Sequence, residues 1–233
     1  MNIADLGCDV TPDEQAYAER VVTLGRGTGK HNTMCLAKRC IKEGIPGDFV
    51  ETGVNMGGHP ALMAWISRKY GDVRTVHMYD SFEGVPRAGV HDSPEWQEIM
   101  GVCPPDEPEP CGRIVNPIDA VRENMVKWDV ADHPMVYHVG WLQKVLPVET
   151  NTPKSIALLR IDVDLYDSTV PVMEYLYPRV SRGGYIISDD WGEGEGMAPC
   201  REAMFQYFDR MEIPRPQVTR IPETPGTVWF QKP

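Results

Sequence analysis

The chain has no C-x-x-C pair, no apolar run near the ~18 residues of a membrane span, and few cations for its size. Each absence removes a class of function. The six cysteines (Cys8, Cys35, Cys40, Cys103, Cys111 and Cys200) are scattered, so the common zinc and thiol-redox spacings are excluded and ordinary reduced thiols are expected. Cys103 and Cys111 bracket a short stretch, but a reducing compartment argues against a bridge. With 23 Lys and Arg against 34 Asp and Glu, the net charge of −11 lacks the clustered cations that displace counterions from a phosphate backbone, so no nucleic-acid partner is expected. Neither is a membrane. The N-terminus carries Asp5, Asp9 and Asp13 and has no basic start or apolar core, so it does not read as a signal peptide and a cytoplasmic address is expected. Residues 88–112 hold no Lys or Arg but six acids, Asp92, Glu95, Glu98, Asp106, Glu107 and Glu109. Prolines and acids there predict a mobile loop, with a lid over residues 84–115.

Hydrophobic periodicity and punctuation divide the 233 residues into alternating elements within one domain. Thr11, Pro12 and Glu14 form a helix onset with N-cap, first-turn proline and capping-box partner. Helices are expected at residues 33–43, 60–70, 118–128, 170–176 and 199–210, and strands at 48–54, 75–79, 135–139, 156–163 and 185–188. Strands separated by helices of this length pair in parallel, which predicts a three-layer α/β sandwich behind an N-terminal helical arm at residues 1–46. The end breaks the alternation. Residues 217–221 and 227–231 read as a hairpin around Pro222 to Gly226, so a sheet of seven strands should close with an antiparallel pair, as in class I (Rossmann-like) methyltransferases.

Two glycine-containing stretches invite a phosphate-loop reading. The first, residues 25–31, has the Gly29-Lys30 pair but places Leu24 where the pattern needs glycine and His31 where it needs Ser or Thr, so a turn before a helix is the better account. The second runs Phe49-Val50-Glu51-Thr52-Gly53-Val54-Asn55-Met56-Gly57-Gly58, after a strand and into a helix, where a nucleotide-type cofactor binds. Its Glu51 would repel a pyrophosphate and attract the ammonium of S-adenosylmethionine. The next strand ends Tyr79-Asp80-Ser81-Phe82, and an acid at that tip suits a bidentate grip on ribose hydroxyls.

The densest cluster joins Leu158-Leu159-Arg160-Ile161-Asp162-Val163-Asp164-Leu165-Tyr166-Asp167-Ser168 with Ser188-Asp189-Asp190. Both place carboxylates at C-terminal ends of core strands, where open α/β sheets bind ligands. Such acids repel one another unless a cation lies between them, and hard oxygen donors suit Mg²⁺ or Mn²⁺.

Those motifs, with Gly47-Asp48 ahead of the first strand, Phe82-Glu83-Gly84-Val85-Pro86 and Val139-Gly140-Trp141-Leu142, occur in the order seen in the macrocin O-methyltransferase (TylF-like) family. The chain resembles that family from about residue 30 to residue 231. The resemblance implies a metal- and S-adenosylmethionine-dependent enzyme that methylates a hydroxyl of a sugar or glycosylated natural product. It maps Asp162, Asp189 and Asp190 onto metal ligands, with Asp162 also the base. It maps Glu51, Thr52, Gly53, Val54, Gly57, Asp80, Ser81, Phe82, Gly140 and Trp141 onto the cofactor site. A vicinal diol chelating Mg²⁺ would aim one oxygen at the sulfonium methyl. Homo-oligomers that share acceptor pockets are also a family expectation. Asn55 and Met56 depart from the family's glycine loop, which commonly carries Trp and Arg there.

Alternatives remain at this level. His59 and His138 are the histidines nearest the binding loops and compete for the role of base. Asp162-Val163-Asp164 also fits the D-x-D of a metal-dependent nucleotide-sugar glycosyltransferase, since two such acids on a strand share a face. A cofactor-binding protein without chemistry is the non-enzyme alternative.

Overall fold

The structure is a computed structural model, and it describes residues 7–25, 27–192, 198–224 and 226–233. Helix α1 (Pro12–Arg20) starts as its sequence predicts: the Thr11 N–H donates to Glu14 Oε2 at 2.9 Å. Glu14 is itself buried and accepts from Lys38, Lys69 and Tyr70, tying α1 to α2 (Gly27–Lys42) and α3 (Gly58–Lys69). Helix α2 begins six residues before the expected 33, because Thr28 and Asn32 are buried and belong to its packed face.

The strands are β1 (Asp48–Thr52), β2 (Val76–Asp80), β3 (Met135–Val139), β4 (Ile156–Ile161), β5 (Val180–Ser188), β6 (Thr219–Arg220) and β7 (Val228–Gln231). They form one sheet in the order β3-β2-β1-β4-β5-β7-β6, parallel except where β7 pairs antiparallel with β5 and β6. Every residue of β4 is buried, as expected for a central strand covered on both faces. Helices α1, α2, α3 and α5 (Ile118–Lys127) cover one face. The other is covered by α6 (Leu142–Val145), α7 (Tyr166–Pro171) with the π-turn Val172–Leu176 after it, and α8 (Ala198–Arg210). Strand order reverses between β1 and β4, so their carboxyl ends open the crevice where such sheets bind ligands.

Other expectations shift as well. Strand β5 begins at Val180, upstream of the expected 185: Val180 already pairs with Ile156, and the chain bulges at Gly183 (φ 78°) before Tyr185 pairs with Leu158. The hairpin's first strand shrinks to Thr219–Arg220. The acidic segment expected to be a loose loop is packed: it carries helix α4 (Pro94–Met100), capped by Ser93, and a small core of Val85, Ala88, Met100 and Leu165. Asp92 anchors it, accepting from the Gly89 and Tyr166 N–H groups at 2.7 and 2.8 Å. All six cysteines are free.

Candidate active site

One cavity opens at the β1/β4 crevice, and its walls include Glu51, Gly53, Val54, Asp80, Ser81, Trp141, Asp162, Asp189 and Asp190. Local geometry brings them together. Gly53 turns at φ 76°, and a Cβ there would sit 1.6 Å from the Asp162 carbonyl oxygen, so only glycine lets β1 and β4 end this close. Asp190 Oδ2 accepts from the Val163 and Asp164 N–H groups at 3.0 and 2.8 Å. That contact holds Asp164 at φ 63°, a conformation few non-glycine residues adopt and one that recurs at functional sites.

Oxygen atoms of Asp162, Asp189 and Asp190 lie within 4.8 Å of one another, the spacing of a shared cation site. The cation already beside them is Arg160. Its guanidinium is 2% exposed and donates from Nη1 to Glu51 Oε1 at 3.0 Å and Asp162 Oδ2 at 2.5 Å, and from Nη2 to Asp189 Oδ1 at 2.8 Å. Thr227 Oγ1 also donates to Asp189 Oδ1, at 3.1 Å. Burial, then the Asp189 charge, pushes the Asp162 carboxyl up to about 7 against the pull of Arg160. Asp164 rises to about 6 through burial and Asp189, and Asp190 rises well above the carboxylate range through burial and the Asp164 and Asp162 charges. A carboxyl titrating near neutrality is matched to accepting a proton there.

The cofactor half has a different chemistry. Glu51 is 1% exposed, and its Oε2 has no hydrogen-bond partner among the described residues, an orphaned buried acceptor on the cavity wall. Burial drives this carboxyl far up, which is what an unmet charge costs until a donor arrives. Asp80 Oδ2 accepts from the Val54 and Asn55 N–H groups at 2.7 and 3.2 Å, and Oδ1 from Phe82 at 2.7 Å. A carboxylate offers about four acceptor positions, so Asp80 ties the glycine loop to β2 as well as facing the cavity. The departures at Asn55 and Met56 are held by α5 and the residues before it: Asn116 donates to Asn55 Oδ1 at 2.7 Å and Asn124 to the Met56 carbonyl at 3.0 Å.

Four expected cofactor residues support the wall rather than line it. Thr52 is buried with its hydroxyl toward the Arg160 carbonyl, and a Cβ on Gly57 would strike Met125 and Val121. Phe82 packs by Tyr137, and the Gly140 N–H donates to the Asp80 carbonyl. Neither histidine reaches the acids by a hydrogen bond. His59 bonds Thr33 Oγ1 and is buried on the cavity wall, while His138 stacks on the wall residue Tyr79 without lining the cavity itself. Asp164 stands outside the cation cluster because the strand ends at Ile161, so the D-x-D pair does not share a strand face. Sequence reasoning missed Arg160, although a lone charge within Leu158-Leu159-Arg160-Ile161 was the signal. It also missed residues 22–25, which lead into the stretch 25–31 that fails as a phosphate loop and which line the cavity.

The family described as Macrocin-O-methyltransferase (TylF) matches residues 22–232. The chain belongs to this family. It is therefore an O-methyltransferase, which removes the glycosyltransferase and non-catalytic alternatives. It is 35% identical to 8-demethyl-8-(2,3-dimethoxy-alpha-L-rhamnosyl)-tetracenomycin-C 4'-O-methyltransferase of Streptomyces olivaceus, over 85% of this chain and 70% of that protein. It is 33% identical to demethyldecarbamoylnovobiocin O-methyltransferase of Streptomyces niveus, over 93% and 82% of the two chains. The solved O-methyltransferase NovP superposes with a TM-score of 0.73 at 31% identity, covering 88% of this chain and 79% of that one. A calicheamicin methyltransferase at 17% identity shares the class I fold, with a TM-score of 0.64.

Proposed function

We propose that this O-methyltransferase transfers the methyl group of S-adenosylmethionine to a hydroxyl of a sugar carried by a glycosylated small molecule, with Mg²⁺ or Mn²⁺ bound by Asp162, Asp189 and Asp190. The observation that carries the reading is one cavity with an unpartnered buried Glu51 oxygen in its wall and three clustered carboxylates beside it. The relatives' names supply the acceptor class, since one methylates a rhamnosyl tetracenomycin and another mycinamicin III.

The residues fit both groups. Glu51 Oε2 is a hydrogen-bond acceptor for the cofactor's ammonium, and Asp80 Oδ1 retains capacity for a ribose hydroxyl. The cation ligands are all hard carboxylate oxygens with no thiol or imidazole among them, which suits Mg²⁺ or Mn²⁺. A divalent ion there supplies positive charge that eases loss of a hydroxyl proton and gathers neighbouring acceptor oxygens, as in a vicinal diol. Asp162 would accept that proton as the acceptor oxygen bonds to the sulfonium methyl in line and the methyl–sulfur bond breaks, leaving S-adenosylhomocysteine as the thioether. Gly53, Val54, Trp141 and Leu142 line the cavity in which the methyl donor would be held.

The test supplies deuterated-methyl S-adenosylmethionine with a panel of rhamnosides and other glycosides bearing vicinal diols, and follows products by mass spectrometry with Mg²⁺ or with EDTA. Labelled glycoside only in the Mg²⁺ arm supports the reading. Equal transfer in EDTA removes the metal, and transfer only to non-sugar hydroxyls removes the acceptor class.

A further inference from the structure

Arg160 is the only Lys or Arg among the described residues that line the cavity, and it lies within the acidic cluster. It projects from β4, a strand buried along its whole length, and stands in register with Glu51 of β1. Its two terminal nitrogens bridge Glu51, Asp162 and Asp189, so one planar fork joins carboxylates from three segments of chain. Two of these carboxylates are the cation ligands proposed above and the third faces the cofactor's ammonium. Without a positive charge among them, one buried and two half-buried like charges would repel and turn apart. Arg160 donates to one oxygen of Asp162 and one of Asp189, and so orients both carboxyl groups.

We propose that Arg160 is a built-in counter-ion and a positioning residue: it holds Glu51, Asp162 and Asp189 in working geometry before a divalent ion arrives, so the cofactor half of the site is complete without metal. This inference rests on the cofactor and metal assignments of the proposed function. Its consequence is specific. The native chain should bind S-adenosylhomocysteine almost independently of Mg²⁺, and loss of the guanidinium should make that binding depend on the metal, because the divalent ion then supplies the only charge that keeps the acids together.

The test is calorimetric titration of S-adenosylhomocysteine into the native chain and Arg160→Met, each in EDTA and in Mg²⁺, with a Mn²⁺ titration of the native chain followed by electron paramagnetic resonance. Native affinity should differ by less than ~3-fold between the two conditions, while the variant should lose at least ~10-fold in EDTA and regain affinity in Mg²⁺. A merely structural arginine would lower affinity or melting temperature alike in both. If Arg160→Met does not fold in EDTA, Arg160→Lys decides: it keeps a point charge without the fork and should be weakened in EDTA and improved by Mg²⁺. Equal affinity of the folded variant in EDTA and Mg²⁺, or tenfold Mg²⁺ dependence in the native chain, overturns the counter-ion role alone. A native chain that binds no S-adenosylhomocysteine, or no Mn²⁺, overturns the proposed function and this inference with it.

Discussion

Asp162 sits where the two halves of the cavity meet, sharing Arg160 with Glu51 on one side and clustering with Asp189 and Asp190 on the other. Its dual assignment as ligand and base predicts that Asp162→Asn loses methyl transfer by roughly 10²–10⁴-fold, the usual worth of a general base. Cofactor affinity, followed by calorimetry, should change only a few-fold, and near-native turnover would remove Asp162 from the chemistry. Glu51→Gln reverses the pattern. Deleting the charge that meets an ammonium costs about 1.5–3 kcal/mol, or roughly 10–100-fold in S-adenosylhomocysteine affinity. An unchanged affinity would move the ammonium elsewhere.

Edge strand β3 carries a titratable histidine contact that does not itself line the cavity. His138 is 9% exposed, its ring stacked 4.0 Å from that of Tyr79, with Nε2 3.0 Å from His77 Nδ1, and His77 in turn lies 3.3 Å from Asp48. Burial, then His77, lowers its pKa to about 4, so the unfolded chain takes up the proton first. Stability from this group is whole above about pH 6.5 and falls as pH drops toward 4, by about 3 kcal/mol in total. Denaturant melts at stepped pH should show that slope, and His138→Phe should flatten it. A slope unchanged by the substitution would place the titration on another group. Strand β3 was legible to the residue because its ends are marked by Pro134 and Gly140. The packing of residues 88–112 was not, since Asp92 is buried by contacts to Tyr166, distant in sequence, and no local pattern announces that partner. Arg160 escaped for a similar reason: its role exists only once β1, β4 and β5 are adjacent.

At the scale of the whole molecule, the parallel strands and reversal of order between β1 and β4 gather Glu51, Asp80, Asp162, Asp189 and Asp190 at one end of the sheet. Much of the net charge of −11 is thereby divided between this cavity and the packed segment at residues 88–112. EDTA should silence methyl transfer while the melting temperature of the native chain stays within about 2 °C, because Arg160 balances part of the cluster without the ion; a larger fall would make the metal structural. The most direct measurement of the central claim is Mn²⁺ binding followed by electron paramagnetic resonance, on the native chain and on the paired variant Asp189→Asn, Asp190→Asn, with S-adenosylhomocysteine present. A single bound ion is expected in the native chain, lost in the variant while the cofactor still binds. No bound ion in the native chain, or undiminished binding in the variant, would contradict it.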